Sequence, residues 1–207
     1  MLGGGSSHNF GMWYKNRDGQ TLSRDGLATV NYVGDPDSVL LYLPQADVLY
    51  LSNNQAIPDP KVRQAIVDFA NAGKGLILAH AATWYNWKDW PEYNRTLLSG
   101  GTRRHDRYGT FEVNVDAPRH PIMQGVEPKF SLKDERYHHI ADPAGPGIEV
   151  LATSRTDTSQ VNLPSVFVVK HPNARIVGIA LGHDAGSHDL PSYQNLLRNS
   201  VKWAARR

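Results

Sequence analysis

Cysteine is absent from the 207 residues of the chain. Without thiols there is no disulfide, no thiolate nucleophile and no thiolate metal ligand, so histidine and the carboxylates remain for chemistry. The sequence also lacks any run approaching the roughly 18 consecutive apolar residues of a membrane helix, and it shows no secretory signal at its start. We therefore expect a soluble, cytoplasmic protein with no membrane partner; an exported protein is the alternative if a signal was trimmed from the start.

A large excess of charge of one sign is also missing. Lysine and arginine number 22 against 20 aspartate and glutamate residues, which gives a net charge of +2. The densest basic run, residues 103–107, contains Asp106 and lacks the interleaved aromatic residues of a single-strand binding surface. The sequence therefore predicts no nucleic-acid partner, and it leaves the oligomeric state open.

The overall composition is that of a folded domain. Hydrophobic residues make up 40% of the chain and charged residues 20%, which excludes a disordered chain, a collagen-like repeat and a coiled coil. Because no internal repeat and no linker-like segment is visible, residues 1–207 are predicted to form a single domain.

A strand-helix-strand unit is the clearest local pattern. Residues 47–52 and 75–79 are short apolar runs typical of buried parallel strands, and a helix is predicted between them from Asp59 to Ala72. Asp59 can cap the free amides, Pro60 suits the first turn and Gly73 permits a left-handed exit. The predicted apolar stripe of this helix is Val62, Ala65, Ile66, Phe69 and Ala70.

Other segments extend this unit into a larger α/β architecture. Residues 27–33 are predicted to form a strand, and the loop of residues 3–10 is predicted to follow a first strand of which the sequence contains Met1 and Leu2. Further strands are predicted at 108–116, 148–153, 165–170 and 175–181, with a last helix from Tyr193 to Ala205. The expected fold is a three-layer α/β domain with a mostly parallel central sheet and an antiparallel extension from residues 108 to 170.

Two histidines directly follow predicted strands. His80 comes after residues 75–79, and His183 comes after residues 175–181. Because ligands bind at the carboxyl ends of the strands in such sheets, we expect both imidazoles at one rim of a pocket. The alternative is that each ring only caps its strand with a backbone hydrogen bond.

Two further groups of residues are candidates for the pocket. The polar run Asp134-Glu135-Arg136-Tyr137-His138-His139 would, on one strand, place Asp134, Arg136 and His138 on one face and Glu135, Tyr137 and His139 on the other. An exposed polar edge is the alternative. The aromatic group Trp84, Tyr85, Trp87 and Trp90 suits the apolar face of a sugar ring, with local core as the alternative.

Five short blocks resemble the ThuA (trehalose utilisation) family in their order and spacing. They are residues 73–83, 98–105, 120–122, 134–137 and 181–184, and the opening loop of residues 3–8 is similar to the glycine loop of that family. The resemblance covers nearly the whole chain and implies a flavodoxin-like sandwich related to the class I glutamine amidotransferases. His80 stands where those enzymes place a nucleophilic cysteine, so the lack of cysteine excludes amidotransferase chemistry. The run Thr102-Arg103-Arg104, with its two basic residues, departs from the family pattern, which places an aromatic residue before His105.

The resemblance also implies a function. Relatives accompany NAD-dependent sugar oxidoreductases, which implies a hydrolase or lyase that acts on 3-keto or related oxidised glycosides by histidine-based acid/base cleavage. His80 or His183 would act as the general base, and Asp134 or Glu135 would orient an imidazole or protonate the leaving oxygen. The predicted substrate contacts are Trp84, Tyr85, His105, Tyr137, Asp184 and His8.

The sequence leaves competing functions open. A non-catalytic carbohydrate-binding or scaffold module needs only the aromatic loop and a polar rim. A serine hydrolase is disfavoured because no G-x-S-x-G motif occurs. A carboxylate pair for ordinary glycoside hydrolysis is disfavoured because Asp134 and Glu135 are adjacent, and neighbours on a strand point to opposite faces.

A divalent metal such as zinc is the one cofactor that the residue types suggest. His80, His183 and Glu135 supply suitable ligand atoms, with His105 or His138 as the fourth. These ligands would come from different strands, so their spacing in the sequence carries no further information.

Overall fold

The computed structural model describes residues 1–156 and 161–206. Strands in these ranges are β1 (Val48–Leu51), β2 (Gly75–Ala79), β3 (Gly100–His105), β4 (Gly109–Val115), β5 (Lys129–Asp134), β6 (Tyr137–Ala141), β7 (Ile148–Arg155), β8 (Leu163–Val169) and β9 (Ile176–Ile179). The α-helices are α1 (Gly19–Ser23), α2 (Val39–Tyr42), α3 (Pro60–Asn71), α4 (Ala185–His188) and α5 (Pro191–Ala204). Two π-helical segments, Gly11–Asp18 and Tyr93–Leu97, and several short 3-10 turns complete the structure.

Helix α3 forms as its end residues predict. The Asp59 side chain accepts a hydrogen bond of 2.8 Å from the Lys61 amide, and Pro60 occupies the first turn, where its missing N–H costs nothing. Gly73 follows the helix with a φ of +80°, which favours glycine. The prediction of this helix is confirmed. Helix α5 is confirmed with a small shift, because it begins at Pro191 rather than at Tyr193.

The main sheet has seven strands in the order β1-β2-β9-β8-β7-β4-β5. The pairs β1–β2 and β2–β9 are parallel, whereas the remaining pairs, β9–β8, β8–β7, β7–β4 and β4–β5, are antiparallel. The α/β class and the antiparallel extension are therefore confirmed, but the parallel part is limited to three neighbouring strands. Strands β3 and β6 form a separate antiparallel pair.

The sheet separates two hydrophobic cores. Successive side chains of β2 point to opposite faces of the sheet, so they enter the two cores in turn. Leu76 and Leu78 pack into the core that includes α3, and Ile77 and Ala79 pack into the core that includes α5. The domain therefore has the three layers that the sequence predicts. No helix in the described ranges is long and apolar enough to cross a membrane.

The predicted strand at residues 27–33 is wrong. Only Val33 pairs with the sheet, through an isolated parallel bridge to Leu2, and Leu2 in turn bridges Leu51. Residues 27–31 instead line a cavity of about 470 Å³ near the amino end of β1. Strand-forming residues therefore do not form a strand here, because a strand also needs a partner backbone along its length.

Candidate active site

His80 lies at the point where β2 leaves the sheet. It is the first residue of the 3-10 turn His80–Thr83, it is fully buried, and its φ of +42° lies in the left-handed region. A residue with a β-carbon adopts this conformation at a cost of about 1–2 kcal/mol, and such strain is common at functional sites. The sharp turn places the imidazole at the carboxyl end of a parallel strand, as predicted.

The hydrogen bonds of His80 determine where its ring carries a proton. Nδ1 lies 2.7 Å from the carbonyl oxygen of Ala180, and Nε2 lies 2.8 Å from the hydroxyl of Tyr137. A carbonyl oxygen only accepts, so Nδ1 must carry the hydrogen, and in the neutral ring Nε2 is left as the acceptor of the Tyr137 O–H. When neutral, His80 is therefore held as the tautomer whose Nε2 lone pair points toward Tyr137 and the site.

Glu135 is the carboxylate of the site. It lies between β5 and β6, and its Oε2 atom is 3.3 Å from His183 Nδ1 and 3.7 Å from His80 Nε2, while Oε1 is 3.6 Å from His105 Nδ1. Partial burial opposes ionisation, but the imidazoles of His183 and His80 outweigh it and hold the pKa of Glu135 well below its usual range. Glu135 is therefore ionised throughout the neutral range.

His183 and His8 complete a ring of imidazoles around that carboxylate. Glu135 raises the pKa of His183 above its ordinary value, against the effect of partial burial. The His8 ring packs edge-on against both His80 and His183, at centroid distances of 4.7 and 4.8 Å. Burial, followed by the neighbouring imidazoles of His80 and His183, lowers the pKa of His8 to about 3. At neutral pH His8 is thus neutral, whereas protonation of His183 is favoured.

An aromatic wall borders the cluster formed by His8, His80, Glu135 and His183. The Tyr137 ring stacks on His80 at 4.4 Å, and Trp84 stands edge-on to Tyr137 at 5.5 Å and to His105 at 5.8 Å. Burial raises the pKa of the Tyr137 hydroxyl well above its ordinary value, so it remains a proton donor. Trp84 is partly exposed and His105 is exposed, which leaves both available to a ligand.

Asp134 is close to the cluster but is fully engaged. It is completely buried, and it accepts hydrogen bonds from the amides of Gly182 (2.8 Å), His183 (3.3 Å) and Glu135 (2.6 Å) and from the Ser187 hydroxyl. These donors stabilise a carboxylate that makes no contact with solvent. Asp134 therefore positions the residues around it, which differs from the catalytic role that the sequence suggested.

Both carboxylate oxygens of Asp184 also accept hydrogen bonds from within the protein. One oxygen caps α4 by accepting from the Gly186 amide at 2.9 Å, and the other accepts from the Tyr108 hydroxyl at 2.5 Å. The Tyr108 ring lies 4.8 Å from that of His183, and burial and Asp184 raise the pKa of Tyr108 to about 12. Tyr108 thus belongs to the site, and nothing in its local sequence indicated that role.

Other predicted residues lie apart from the four-residue cluster of His8, His80, Glu135 and His183. The strand is interrupted at residues 135 and 136, between β5 and β6, so residues 134–139 do not form one strand with two faces. His138 and Arg136 both bind Asp106, at 2.7 Å each, and Tyr85 packs under the Arg103 guanidinium at 3.8 Å. Trp87 and Trp90 are buried in the core, as the alternative for the aromatic segment stated, and His139 packs against Phe167.

The cluster also has the donor set of a metal site. One ligand atom from each of His8, His80, Glu135 and His183 lies within 4.8 Å of the others. The Nδ1 atoms of His8 and His183 are buried and make no well-aligned hydrogen bond, although that of His183 faces Glu135. Buried nitrogens of this kind are uncommon, and three imidazoles with one carboxylate suit zinc. The group that completes this donor set is His8, whereas the sequence suggested His105 or His138 for that position.

Solved structures share this fold. A ThuA-like protein from Parabacteroides merdae is 23% identical, with a TM-score of 0.85 over 99% of this chain and 88% of that one. A ThuA-like protein from Bacteroides uniformis is 18% identical, with a TM-score of 0.74 over 92% of this chain and 82% of that one. A GMP synthase subunit from Thermoplasma acidophilum is 13% identical, with a TM-score of 0.61 over 99% of this chain and 94% of that one. These similarities establish a flavodoxin-like, glutamine amidotransferase-like fold.

No curated protein sequence matches the chain significantly. The family model described as ThuA, trehalose utilisation, matches residues 21–204, which include every residue of the cluster except His8. The match covers most of the sequence and agrees with the resemblance of its five blocks. The chain belongs to the ThuA (trehalose utilisation) family.

Proposed function

We propose that the protein is a carbohydrate-processing enzyme that cleaves 3-keto or related oxidised glycosides by acid/base chemistry at the four-residue cluster. The observation that carries the proposal is the hydrogen bonding of His80: Nδ1 faces the Ala180 carbonyl, which leaves the buried Nε2 facing Tyr137 and Glu135. A histidine that only capped β2 would need a hydrogen bond at one ring nitrogen. In His80 the second ring nitrogen also faces a polar group, the Tyr137 hydroxyl.

The first step is removal of a proton from carbon. A keto group at C3 acidifies the neighbouring C2–H, and His80 Nε2 accepts that proton while the electron pair forms an enolate with the ketone oxygen. The Tyr137 hydroxyl, which lies 2.8 Å from Nε2 in the free protein, would then donate to the enolate oxygen. A donor with so high a pKa stabilises the oxyanion by a hydrogen bond and keeps its own proton.

The second step is departure of the leaving group. The enolate expels the oxygen at C1, and protonated His183 donates its proton to that oxygen. Glu135, 3.3 Å from His183 Nδ1, favours the protonated ring. Addition of water across the resulting C1–C2 double bond gives the free keto sugar, and release before this addition gives an elimination product.

Ordinary glycoside hydrolysis fits the site less well. That reaction uses two carboxyl groups, one on each side of the scissile bond. Asp134 is buried under its four donors, so Glu135 is the one acid among the described residues in contact with the imidazoles of the cluster. The sugar ring itself would stack on Trp84, which stands at the edge of the site.

A metal-assisted reaction is the second candidate, and the Nδ1 atoms of His8 and His183, buried without a well-aligned hydrogen bond, favour it. A divalent ion would polarise the ketone oxygen. It would also occupy the lone pair of His80 that the first candidate uses as a base, so the two are alternatives. Metal analysis of protein purified without an affinity tag separates them.

The proposal is tested by incubating the protein with 3-keto-trehalose and with unoxidised trehalose, with and without added zinc, and measuring released glucose. We expect glucose from the keto sugar alone. Equal turnover of unoxidised trehalose would contradict the role of the ketone. Binding of a keto sugar without turnover would instead favour a non-catalytic carbohydrate-binding module.

A further inference from the structure

A second buried polar cluster adjoins the site through Gly182. Asp18 ends the π-helical segment Gly11–Asp18, and His188 ends α4; their exposed fractions are 1% and 0%. His188 Nδ1 lies 2.7 Å from the Asp18 carboxylate, and Nε2 lies 3.0 Å from the carbonyl oxygen of Gly182. The two residues are 170 positions apart in the sequence and meet only in the fold.

The partners of His188 determine its charge. Facing a carboxylate and a carbonyl oxygen, both ring nitrogens of His188 are placed to donate, which is the arrangement that favours an imidazolium. Burial disfavours this charge, but Asp18 and the Gly182 carbonyl outweigh it and raise the pKa of His188. A buried cation is therefore paired with a buried anion.

Tyrosine hydroxyls satisfy the remaining oxygen atoms. The second oxygen of Asp18 accepts from Tyr50 at 2.6 Å and from Tyr193 at 3.4 Å, and the Gly182 carbonyl also accepts from Tyr14 at 2.6 Å. A network with all its members paired is rigid, because breaking any one bond leaves a polar group unsatisfied in the interior.

This network ends on the peptide that precedes His183. The carbonyl of Gly182 is held by His188 and Tyr14, and the N–H of His183 in the same peptide lies 3.3 Å from the Asp134 carboxylate. Gly182 has a φ of +133°, and a β-carbon on it would lie 3.3 Å from that of His80. One peptide is thus bound by a cation at its oxygen and by an anion at its nitrogen.

We propose that Asp18 and His188 are positioning residues of the active site: their ion pair fixes the Gly182–His183 peptide and thereby holds the His183 imidazole against Glu135. The catalytic consequence rests on the proposed function, but the positioning itself is measurable in the free protein. Neither residue touches the cluster of four, so neither is a catalytic residue.

The charge of His188 is tested by NMR of the ring nitrogens in uniformly ¹⁵N-labelled protein. We expect two protonated nitrogens on His188 at pH 7, and a neutral imidazole pattern would overturn the proposal. Burial of the ring nitrogens of His139 lowers its pKa to about 4, so His139 provides a neutral reference in the same spectrum.

The positioning is tested with His188→Gln, Tyr14→Phe and the control His139→Gln. We expect amide hydrogen exchange at Gly182 and His183 to accelerate roughly tenfold or more in His188→Gln, to a smaller extent in Tyr14→Phe, and not in the control. With a keto sugar, kcat should fall roughly 10- to 100-fold in His188→Gln with KM little changed. If His188→Gln does not fold, Tyr14→Phe carries the same test without removing a buried charge.

The outcomes separate this proposal from the function on which it rests. Unchanged exchange at Gly182 and His183, in variants that fold, overturns the positioning role whatever the activity. A wild-type protein with no turnover overturns the proposed function, while the ring-nitrogen and exchange results still support or overturn the positioning role.

Discussion

His80 and Tyr137 are both stacked and hydrogen-bonded. Their ring centroids are 4.4 Å apart at an interplanar angle of 22°, and the Tyr137 hydroxyl lies 2.8 Å from His80 Nε2. Stacking fixes the ring plane of His80, and the Ala180 carbonyl fixes its tautomer. The pair therefore defines the direction in which the site accepts a proton.

Tyr137→Phe should keep the stacking and remove the oxyanion donor. We expect kcat on a keto sugar to fall roughly 10²- to 10³-fold, with a loss of stability of about 1 kcal/mol. The measurement is steady-state kinetics together with urea unfolding. Tyr93→Phe is the matched control, because it removes a buried hydroxyl that donates to the Ala82 carbonyl at 2.7 Å. A similar loss of kcat in Tyr93→Phe would show that any lost buried hydroxyl has this effect.

The protonation of His183 should set the alkaline limit of activity. Because Glu135 raises the pKa of His183, the acid form persists above the ordinary pKa of 6.5 and is lost as the pH rises through the raised value. Glu135→Gln should move this limb of the pH profile to lower pH as well as lowering kcat. An alkaline limb that stays in place in Glu135→Gln contradicts the assignment of His183 as the acid.

His8 should make the fold sensitive to acid. Its pKa in the folded protein is lowered to about 3, so below pH 6.5 the unfolded chain takes up a proton that the folded chain does not. This contribution to stability is present above pH 6.5 and is lost progressively as the pH falls toward 3. Urea unfolding at several pH values should show a shallower acid loss in His8→Asn. Parallel curves for the two proteins would argue against a neutral His8.

Replacing each of two tryptophans of one segment with alanine should affect different properties, ligand binding for Trp84 and stability for Trp90. Trp84→Ala should weaken binding of a keto sugar roughly tenfold with little effect on stability, because the ring borders the site and is partly exposed. Trp90→Ala should instead cost about 3–5 kcal/mol of stability, because that ring is 5% exposed and packs against Trp87 and Tyr93. Calorimetric titration and urea unfolding measure the two effects, and equal effects on binding would remove Trp84 from the site.

The sequence predicts those features whose causes are local. The ends of α3 are encoded by Asp59, Pro60 and Gly73, and β2 is a continuous apolar run, so both are predicted to within a residue. His80 is found because it directly follows β2, and His183 because it lies shortly after the end of β9. Residues 27–33 fail because a strand also depends on its partner, which no local pattern contains.

The roles of the two acids needed the fold. Asp134 and Glu135 are adjacent and chemically alike, but the chain leaves β5 between them, so one is buried under backbone donors and the other faces the imidazoles. Asp18 and His188 have no distinguishing motif, and they become a pair only when helical segments from the two ends of the chain pack together.

The most direct test of the account is exchange of the C2 proton of a 3-keto glycoside with deuterated solvent, followed by NMR. His80 as the base predicts enzyme-dependent exchange, or cleavage with solvent deuterium incorporated at C2, and a loss of roughly 10²-fold or more in His80→Gln. His139→Gln should behave as wild type. Exchange and cleavage at the wild-type rate in a folded His80→Gln variant would contradict the central claim that this imidazole takes the proton.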